Sequence, residues 1–575
     1  MEPIGVALGT AALLSTVLDI FRIVTSFRSH SETSGVLFRQ LDLEREVLLR
    51  WATEVGLHPS NVPSSQCAIP VELLPLVHNT VAMIGALLAK ATSFKPANAD
   101  AEMGIRDMRL VRDSLQSELQ SSQRLSRLSR TLARLGWAIG EEDRLKDLIS
   151  TIHAYNTSLH NLIPKPLQVS LDGSLMQIVL AEQDEDKLLE IQQASSNGRK
   201  ALSIVASVTA LQQTRSAAPP LTNQLILHRS KLASLGSDMA RHLTRYDCKG
   251  QPVDVLIEWR AYQMPPNSAK KAYYINTCLD LARLLHASQN LPAYRTLDCL
   301  GIIDDVEFQP APRIGVVYRV PSIAPTPPSL DGSCVRIYTL YDFINRKEFI
   351  RPRLEQRFEL ARSLATGLHR IFVSRWYHKN LNSKNILFFI CADPMKDERS
   401  LLLNPNHIQY PYLSGFDYAR PDSPDEMTIK PEIDEFSDRY RHPLCTRPDS
   451  RESIRFTRRF DTYSMGVILM ELGRWETADT MHKDLITQKI KSARKGQVAA
   501  PPPSLDSFQK YLRTRCIESL GFRMGKIYMD AVRFCLDHTP DTNDPYIFNG
   551  SADIEEALVS RFNKEVVAEL VRCTA

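Results

Sequence analysis

The loop WYHKNLNSKNILFF, at residues 376–389, groups polar side chains that could contact a phosphate or a metal ion. His378 and Lys379 lead into Asn380, and Asn385 follows five positions later. The amide oxygen of Asn385 is the kind of oxygen ligand that Mg²⁺ accepts beside phosphates. A neutral amide such as that of Asn380 cannot take the proton of a substrate hydroxyl, so it cannot act as a general base. The loop therefore groups polar side chains without a carboxylate that could act as a base.

The order of these residues resembles the catalytic loop of protein kinases, H-R-D-L-x-x-x-x-N-I-L. It resembles more closely the degenerate kinase-like domains of filamentous fungi. His378 takes the histidine position, Lys379 the arginine position, and Asn380 the position of the catalytic Asp. The resemblance implies that this loop keeps its shape and has lost its base.

Three further kinase-like motifs are altered at their chemically active positions. The stretch VDVLIEWRAY, residues 253–262, resembles the strand V-A-I-K, with Arg260 in the lysine position. The stretch around Gly415 and Asp417 resembles D-F-G, but the glycine and the metal-binding Asp have exchanged places. Residues 234–250 lack the G-x-G-x-x-G pattern of a phosphate-covering loop. We therefore expect no catalytic residues and no metal site.

The resemblance implies a vestigial ATP site formed by Arg260, Asn385 and Asp417. In a working kinase the strand lysine pairs with a Glu from a neighbouring helix. The helix predicted at 270–286 offers only Asp280 as an acid. We expect any ATP binding to be weak, and no cofactor to be required. The alternative is an unorthodox active kinase that binds ATP, in which Asp417 replaces the missing metal ligand.

Architectural motifs of the kinase fold are retained downstream. FDTYSMGV contains Asp461 and Gly466, where the Asp of a kinase bonds to the backbone of the catalytic loop. The structural motifs of a kinase are retained while its catalytic positions are altered, and this combination predicts a pseudokinase. The resemblance implies a bilobal α+β domain over residues 225–575, with lobes at about 225–320 and about 332–575.

Length and composition favour a soluble, multidomain, intracellular protein. At 575 residues the chain is too long for a single core. The formal net charge of +4 gives no reason to expect nucleic acid as a partner. The ten cysteines occur singly, without the spacing of a zinc site, which indicates a reducing compartment. We expect a cytoplasmic protein without a secretory signal, because no basic residues precede the first apolar run.

The N-terminal segment is unusually apolar for a soluble protein. It carries no charge for 16 residues, from Pro3 to Leu18. A transmembrane helix needs roughly 20 residues, or about 17 at the least. The segment therefore predicts either a buried core helix or a helix that enters a membrane with help. The apolar side chains that would face lipid are Ile4, Val6, Leu8, Leu13, Leu14, Val17 and Leu18.

The opening EPIGVALG resembles the fungal HeLo domain, also called the prion-inhibition and propagation domain. Further matching motifs are QLDL at residues 40–43, GWAI at 136–139 and LKDLI at 145–149. The resemblance implies an all-α bundle over residues 1–212. In that family the N-terminal helix is thought to leave the bundle and permeabilise membranes during programmed cell death, including heterokaryon incompatibility. A helical bundle placed before a kinase-like domain is also similar to the layout of plant and animal necroptosis-type proteins, and this similarity implies homo-oligomers on activation.

The boundary and the remaining helices follow from composition. Residues 213–224 form the predicted linker because Pro219 and Pro220 lie among small polar residues. Helices are expected at 36–56, at 71–91, and near 174–192 and 196–213. The segment QRLSRLSRTLARLGW, at residues 123–137, predicts a basic amphipathic helix, either a solvated bundle face or a surface for anionic lipid.

A helical bundle followed by a pseudokinase predicts a protein of the cell-death type. The C-terminal half would sense a signal from an unknown upstream protein, or restrain the bundle, and the bundle would then relocate to the plasma membrane. A non-lytic signalling scaffold is the alternative, in which the N-terminal helix is merely part of the core.

Overall fold

The computed structural model describes two compact units, Met1–Gln213 and Thr214–Ala575. The described residues are 3–26, 32–57, 67–91, 141–182, 185–195, 199, 202–203, 205–206, 209, 225–234, 240–262, 269–288, 292–309, 311–321, 335–391, 405–421, 434–446, 456–493, 504–537 and 552–575.

The first unit is helical throughout its long described segments. Its helices carry apolar residues at helical spacing, and these form the core. Helix α1 packs against α2 and α3, and α2 also packs against α4, α5 and α6. The helices are α1 (Pro3–Ser26), α2 (Glu32–Glu54), α3 (Leu74–Ala91), α4 (Glu141–Leu162), α5 (Lys165–Ala181) and α6 (Glu185–Ser195).

Polar contacts of Trp51 and Glu44 fix helix α2 inside this bundle. The buried Trp51 indole N–H donates to the carbonyl oxygen of Leu159 at 3.0 Å. The buried Glu44 carboxylate lies 2.8 Å from His153 Nδ1 and 3.2 Å from Arg199 Nη2. Burial opposes the ionisation of Glu44, but these partners outweigh it and lower the pKa of Glu44.

One helix prediction in this unit is wrong. The helix predicted near 174–192 is in fact two helices, α5 and α6. Helix α5 starts earlier, directly after Pro164, and ends where Glu182 adopts an extended conformation with ψ 125°. The predicted basic helix at 123–137, the linker at 213–224 and most of the helix at 196–213 lie outside the described residues.

The second unit begins with an antiparallel four-stranded sheet of order β1-β2-β4-β3. Side chains of a strand alternate between the two faces of a sheet. On one face Ile257 and Trp259 join a buried apolar cluster with Tyr246 and Val317. Glu258 and Arg260 therefore project from the opposite face. The elements are β1 (Arg241–Cys248), β2 (Gln251–Ala261), α7 (Ala269–Ala287), β3 (Cys299–Asp305) and β4 (Arg313–Arg319).

The remainder of the second unit is mostly helical, with short strands around the predicted loop. Helix α11 is buried along almost its whole length and packs against α9, α14 and α15. Strands β5, β7 and β8 form one small sheet, and β6 pairs with β9. The elements are β5 (Val335–Thr339), α8 (Leu340–Asn345), α9 (Leu354–Val373), β6 (Trp376–Tyr377), β7 (Ile386–Cys391), β8 (Tyr412–Leu413), β9 (Arg420–Pro421), α10 (Glu435–Asp438), α11 (Arg458–Arg474), α12 (Ala478–Ala493), α13 (Leu505–Tyr511), α14 (Ile517–Asp537), α15 (Ala552–Phe562) and α16 (Glu569–Arg572).

Candidate functional site

Asp461, near the start of α11, binds the backbone of the loop between β6 and β7. The carboxylate of Asp461 accepts the backbone N–H of His378 at 2.7 Å and that of Lys379 at 2.9 Å. Burial raises the pKa of Asp461 to about 7, against the lowering effect of these two N–H donors. This is the bond between helix and loop that the resemblance implies. Gly466 lies further along α11, where a Cβ would come within 2.7 Å of Cys535 Cβ in α14.

His378 is a structural residue of the loop. Its ring is buried and lies 4.5 Å from the ring of Phe416, centroid to centroid. Burial lowers the pKa of His378 to about 4, so the imidazole is neutral at physiological pH. Its Nδ1 accepts the backbone N–H of Asn380 at 3.3 Å. The ring therefore supports the turn at Asn380.

Asn380 directs its amide towards a carboxylate. Its Nδ2 donates to Asp417 Oδ2 at 3.3 Å. Its backbone carbonyl accepts Nδ2 of Asn385 at 2.7 Å, which joins the two asparagines of the loop. The side chain in the base position thus acts as a hydrogen-bond donor to Asp417.

Arg260 connects the sheet, helix α7 and the Asp417 segment. Its Nε donates to Asp417 Oδ1 at 3.0 Å, and its Nη2 donates to the carbonyl oxygen of Phe416. Burial opposes the charge of Arg260, but Tyr274 of α7 and Asp417 outweigh it and raise the pKa of the guanidinium. Asp280, the only acid that the sequence offered for pairing with this arginine, is instead paired with Arg283 at 2.5 Å.

A second arginine reaches the same loop and was not predicted. Arg241 and Glu258 lie directly opposite each other on β1 and β2, with Arg241 Nε 2.8 Å from Glu258 Oε1. Arg241 Nη2 donates to Asn385 Oδ1 at 2.6 Å and to Ser414 Oγ at 2.9 Å. Glu258 also accepts the backbone N–H of Gly415 at 3.1 Å. We call Arg241, Glu258, Arg260 and Asp417 the arginine latch.

The strand sequence contained a signal for the first pair of this latch. Glu258 lies two residues before Arg260 in the mainly apolar stretch VLIEWRA of β2, so both must project from one face. A buried carboxylate there required a cationic partner. The identity of the partner, Arg241, depends on strand register, and register is fixed only when the hairpin has formed.

Gly415 allows the loop and the latch to approach each other closely. It has a φ of +73°, which L-residues seldom adopt. A Cβ at this position would lie 2.3 Å from Cγ of Asn385. The position that a metal-binding Asp would take therefore has no space for any side chain while Asn385 holds its present place.

The arrangement assigns every predicted ATP-site residue an internal partner. Asn385 Oδ1 is bound by Arg241, and Asp417 is bound by Arg260 and Asn380. Two guanidinium groups already neutralise the carboxylates that could attract a cation. In the described part of the chain, no three His, Cys, Asp or Glu side chains are placed to hold a metal ion.

In the first unit, the predicted membrane-active segment forms helix α1 and is largely buried. The N-terminal part of this segment is more exposed than the rest, since Leu8 is 47% exposed and Val6 is half-buried. The side chain of Ile4 lies outside the described residues. The buried members of the segment are Leu13, Leu14, Val17 and Leu18.

A different helix in the first unit meets the length and hydropathy expected of a membrane span. Val71–Ala89 has 19 residues, a mean hydropathy of 1.6, and half of its residues are buried. A core helix of a soluble protein can satisfy the same conditions. This segment was predicted from sequence only as an ordinary bundle helix.

Comparison with known proteins concerns the first unit. No curated protein matches the chain. The family model HeLo, described as prion-inhibition and propagation, matches residues 4–191, about a third of the chain. That range contains the six long helices of the first unit almost completely. Residues 4–191 of the chain are thus similar to the HeLo family.

Proposed function

We propose that the chain is a cell-death or incompatibility protein in which a pseudokinase regulates a HeLo bundle. The bundle acts on membranes as a homo-oligomer, and the second unit restrains it or senses an upstream signal. Before activation the protein is cytoplasmic. The HeLo match supports the role given to the bundle. The altered kinase-like site of the second unit supports the role given to the pseudokinase.

The order of the helices and strands in the second unit supports its interpretation as a kinase-like domain. A four-stranded sheet with helix α7 precedes a mainly helical region, and the polar loop lies between β6 and β7. The bond of Asp461 to the loop backbone connects this loop to a buried helix. Such an arrangement suits a small lobe placed over a larger one, with the latch at their junction.

The arginine latch is the observation that carries the pseudokinase proposal. In a kinase, nucleotide and Mg²⁺ fill the space between the sheet and the loop. Here Arg241 and Arg260 cross from the sheet to Asn385 and Asp417. These arginines provide the positive charge that a metal would otherwise supply. The junction is thus held by the chain itself, and neither ATP nor a metal is needed to hold it.

Membrane action by the bundle requires a change of state, because most of α1 is buried at rest. A trigger shifts the equilibrium towards the released state only if it binds that state more tightly than the resting state. The second unit is the natural receiver of such a trigger. Released bundles, with α1 exposed, would associate with one another and with lipid.

The test uses the full chain with a protease site introduced between residues 213 and 225. We expect the uncut protein to leave dye inside phosphatidylcholine–phosphatidylserine vesicles and the cut protein to release it. A cut protein that lacks residues 1–26 should release none. Intact dye retention by the cut, still helical wild type would contradict membrane action.

The burial of α1 also favours a second candidate, the non-lytic scaffold. In that case α1 is a permanent core helix and the bundle binds a protein partner. The vesicle experiment separates the two functions, because a scaffold leaves vesicles intact before and after cleavage. An active kinase remains the third candidate, with Asp417 as its metal ligand, and it requires phosphotransfer that disappears in Asp417→Ala.

A further inference from the structure

The segment Val71–Ala89 combines the length of a membrane span with charges only near its ends. Its 19 residues would extend about 28 Å at about 1.5 Å each, close to the roughly 30 Å of bilayer hydrocarbon. Glu72 lies near one end and Lys90 just beyond the other. His78 is the single titratable residue between them. The segment is therefore at least as suited to a bilayer as the 16-residue uncharged run of α1.

Helices α1 and α3 pack against each other and share a satisfied polar contact. Thr10 Oγ1 donates to the carbonyl oxygen of Val6 at 2.7 Å and lies 3.2 Å from His78 Nδ1. The hydroxyl of Thr10 has one polar contact within α1 and one with the ring of His78 on α3. The hydroxyl of Thr10 is thus satisfied within the helix pair, as a polar group must be in lipid.

Departure of α1 alone would leave part of α3 uncovered. Helix α3 packs against α1 and α4, and its buried positions include Val77, Val81, Ile84 and Leu88. Removing α1 would expose apolar surface of α3 to water, which is unfavourable. Transfer of α3 together with α1 avoids this exposure and keeps the contact between Thr10 and His78.

We infer that α1 and α3 enter the bilayer as a pair, and that α3 is the second membrane-inserting helix. The inference rests on the proposed membrane function of the bundle. Lipid acyl chains would cover the exposed apolar side chains of the pair. Leu8 on α1 and Leu76 on α3 are 47% and 50% exposed in the bundle.

Three matched leucine substitutions test this inference in the protease-cleavable full chain. Leu8→Lys places a charge on α1 and Leu76→Lys places one on α3. Leu189→Lys is the control on α6, where the leucine is 42% exposed. Because all three side chains are exposed, each variant should keep its fold, which circular dichroism checks. The readout is dye release from phosphatidylcholine–phosphatidylserine vesicles after cleavage.

We expect L8K and L76K each to reduce dye release at least tenfold and L189K to behave as the wild type. Wild-type release by L76K with lost release by L8K would overturn the role of α3 and leave the proposed function standing. Absence of release by the cut wild type would overturn both. Labelling by a photoactivatable lipid probe gives a second readout, and a pair that inserts is labelled in 71–89 as well as in 3–26.

Discussion

Arg241 and Glu258 face each other across strands β1 and β2, and Arg241 continues from this pair to the amide oxygen of Asn385. The pair lies at the centre of the second unit's polar junction. Glu258 is 5% exposed, so its charge depends on Arg241 and on the N–H of Gly415.

Removal of Arg241 should destabilise the second unit. Arg241→Ala leaves the Glu258 carboxylate buried without its cation, and we expect a loss of about 2–3 kcal/mol in the free energy of unfolding. Arg245→Ala on the same strand is the control, because the pair of Arg245 with Asp254 is 39% and 47% exposed. Its loss should be under about 1 kcal/mol. Urea unfolding measures both, and equal losses would contradict the latch.

Restoring a carboxylate at position 380 should weaken the fold and give no phosphotransfer. Asn380→Asp would place a second carboxylate where Nδ2 now lies, 3.3 Å from Asp417 Oδ2. We expect a loss of about 1 kcal/mol at neutral pH, since the two like charges share a partly exposed site. A more stable N380D, or one that phosphorylates a substrate, would contradict the prediction.

Gly415 should tolerate no side chain. Gly415→Ala combines an unfavourable positive φ with a Cβ placed 2.3 Å from Asn385 Cγ. We expect a loss of about 3 kcal/mol, roughly half from backbone strain and half from steric overlap. Gly250→Ala isolates the strain alone, because Gly250 has a φ of +83° and nothing within 4 Å of its Cβ position. Thermal or urea unfolding should therefore separate the two variants, and identical losses would show that Asn385 moves aside freely.

Glu471 should make the stability of the second unit depend on pH. Its carboxylate accepts the Tyr440 hydroxyl at 2.6 Å and the N–H of Ala478 at 2.7 Å. Burial nonetheless raises the pKa of Glu471 to about 7, so the folded state binds its proton more tightly than the unfolded state. The ionisation penalty therefore appears as the pH rises from about 4.5 to about 7, and it is constant above that range.

The substitution Glu471→Gln should remove this penalty. We expect the stability of E471Q, relative to wild type, to be more favourable at pH 8 than at pH 5. Urea unfolding of both proteins at both pH values measures this difference in stability. The buried His378 has an opposing pH dependence, but it is present in both proteins and its contribution cancels. Glu435→Gln is the control, at a side chain that is 94% exposed. A relative stability of E471Q that does not change with pH would contradict the raised pKa.

Local patterns in the sequence predicted much of the fold, and contacts between distant segments decided the rest. The N-terminal helix was evident from its apolar run, and β2 from its β-branched and aromatic residues. The break between α5 and α6 was missed because no glycine or proline lies at residue 182. Arg260, Asn380 and Asp417 were singled out by motif, but their mutual bonds depend on a tertiary contact between the sheet and the loop. Arg241 was missed because its role arises only from strand register.

The central claim is that the latch, and not a nucleotide, holds the junction of the second unit. The most direct measurement is the thermal unfolding of the full chain with and without 1 mM ATP and Mg²⁺. A ligand bound with a dissociation constant of about 10 µM would add about 2.7 kcal/mol at about 1 mM. We predict no change in the unfolding temperature of the wild type. A rise of several degrees in the unfolding temperature that requires both ATP and Mg²⁺ would contradict the claim and favour the active-kinase hypothesis.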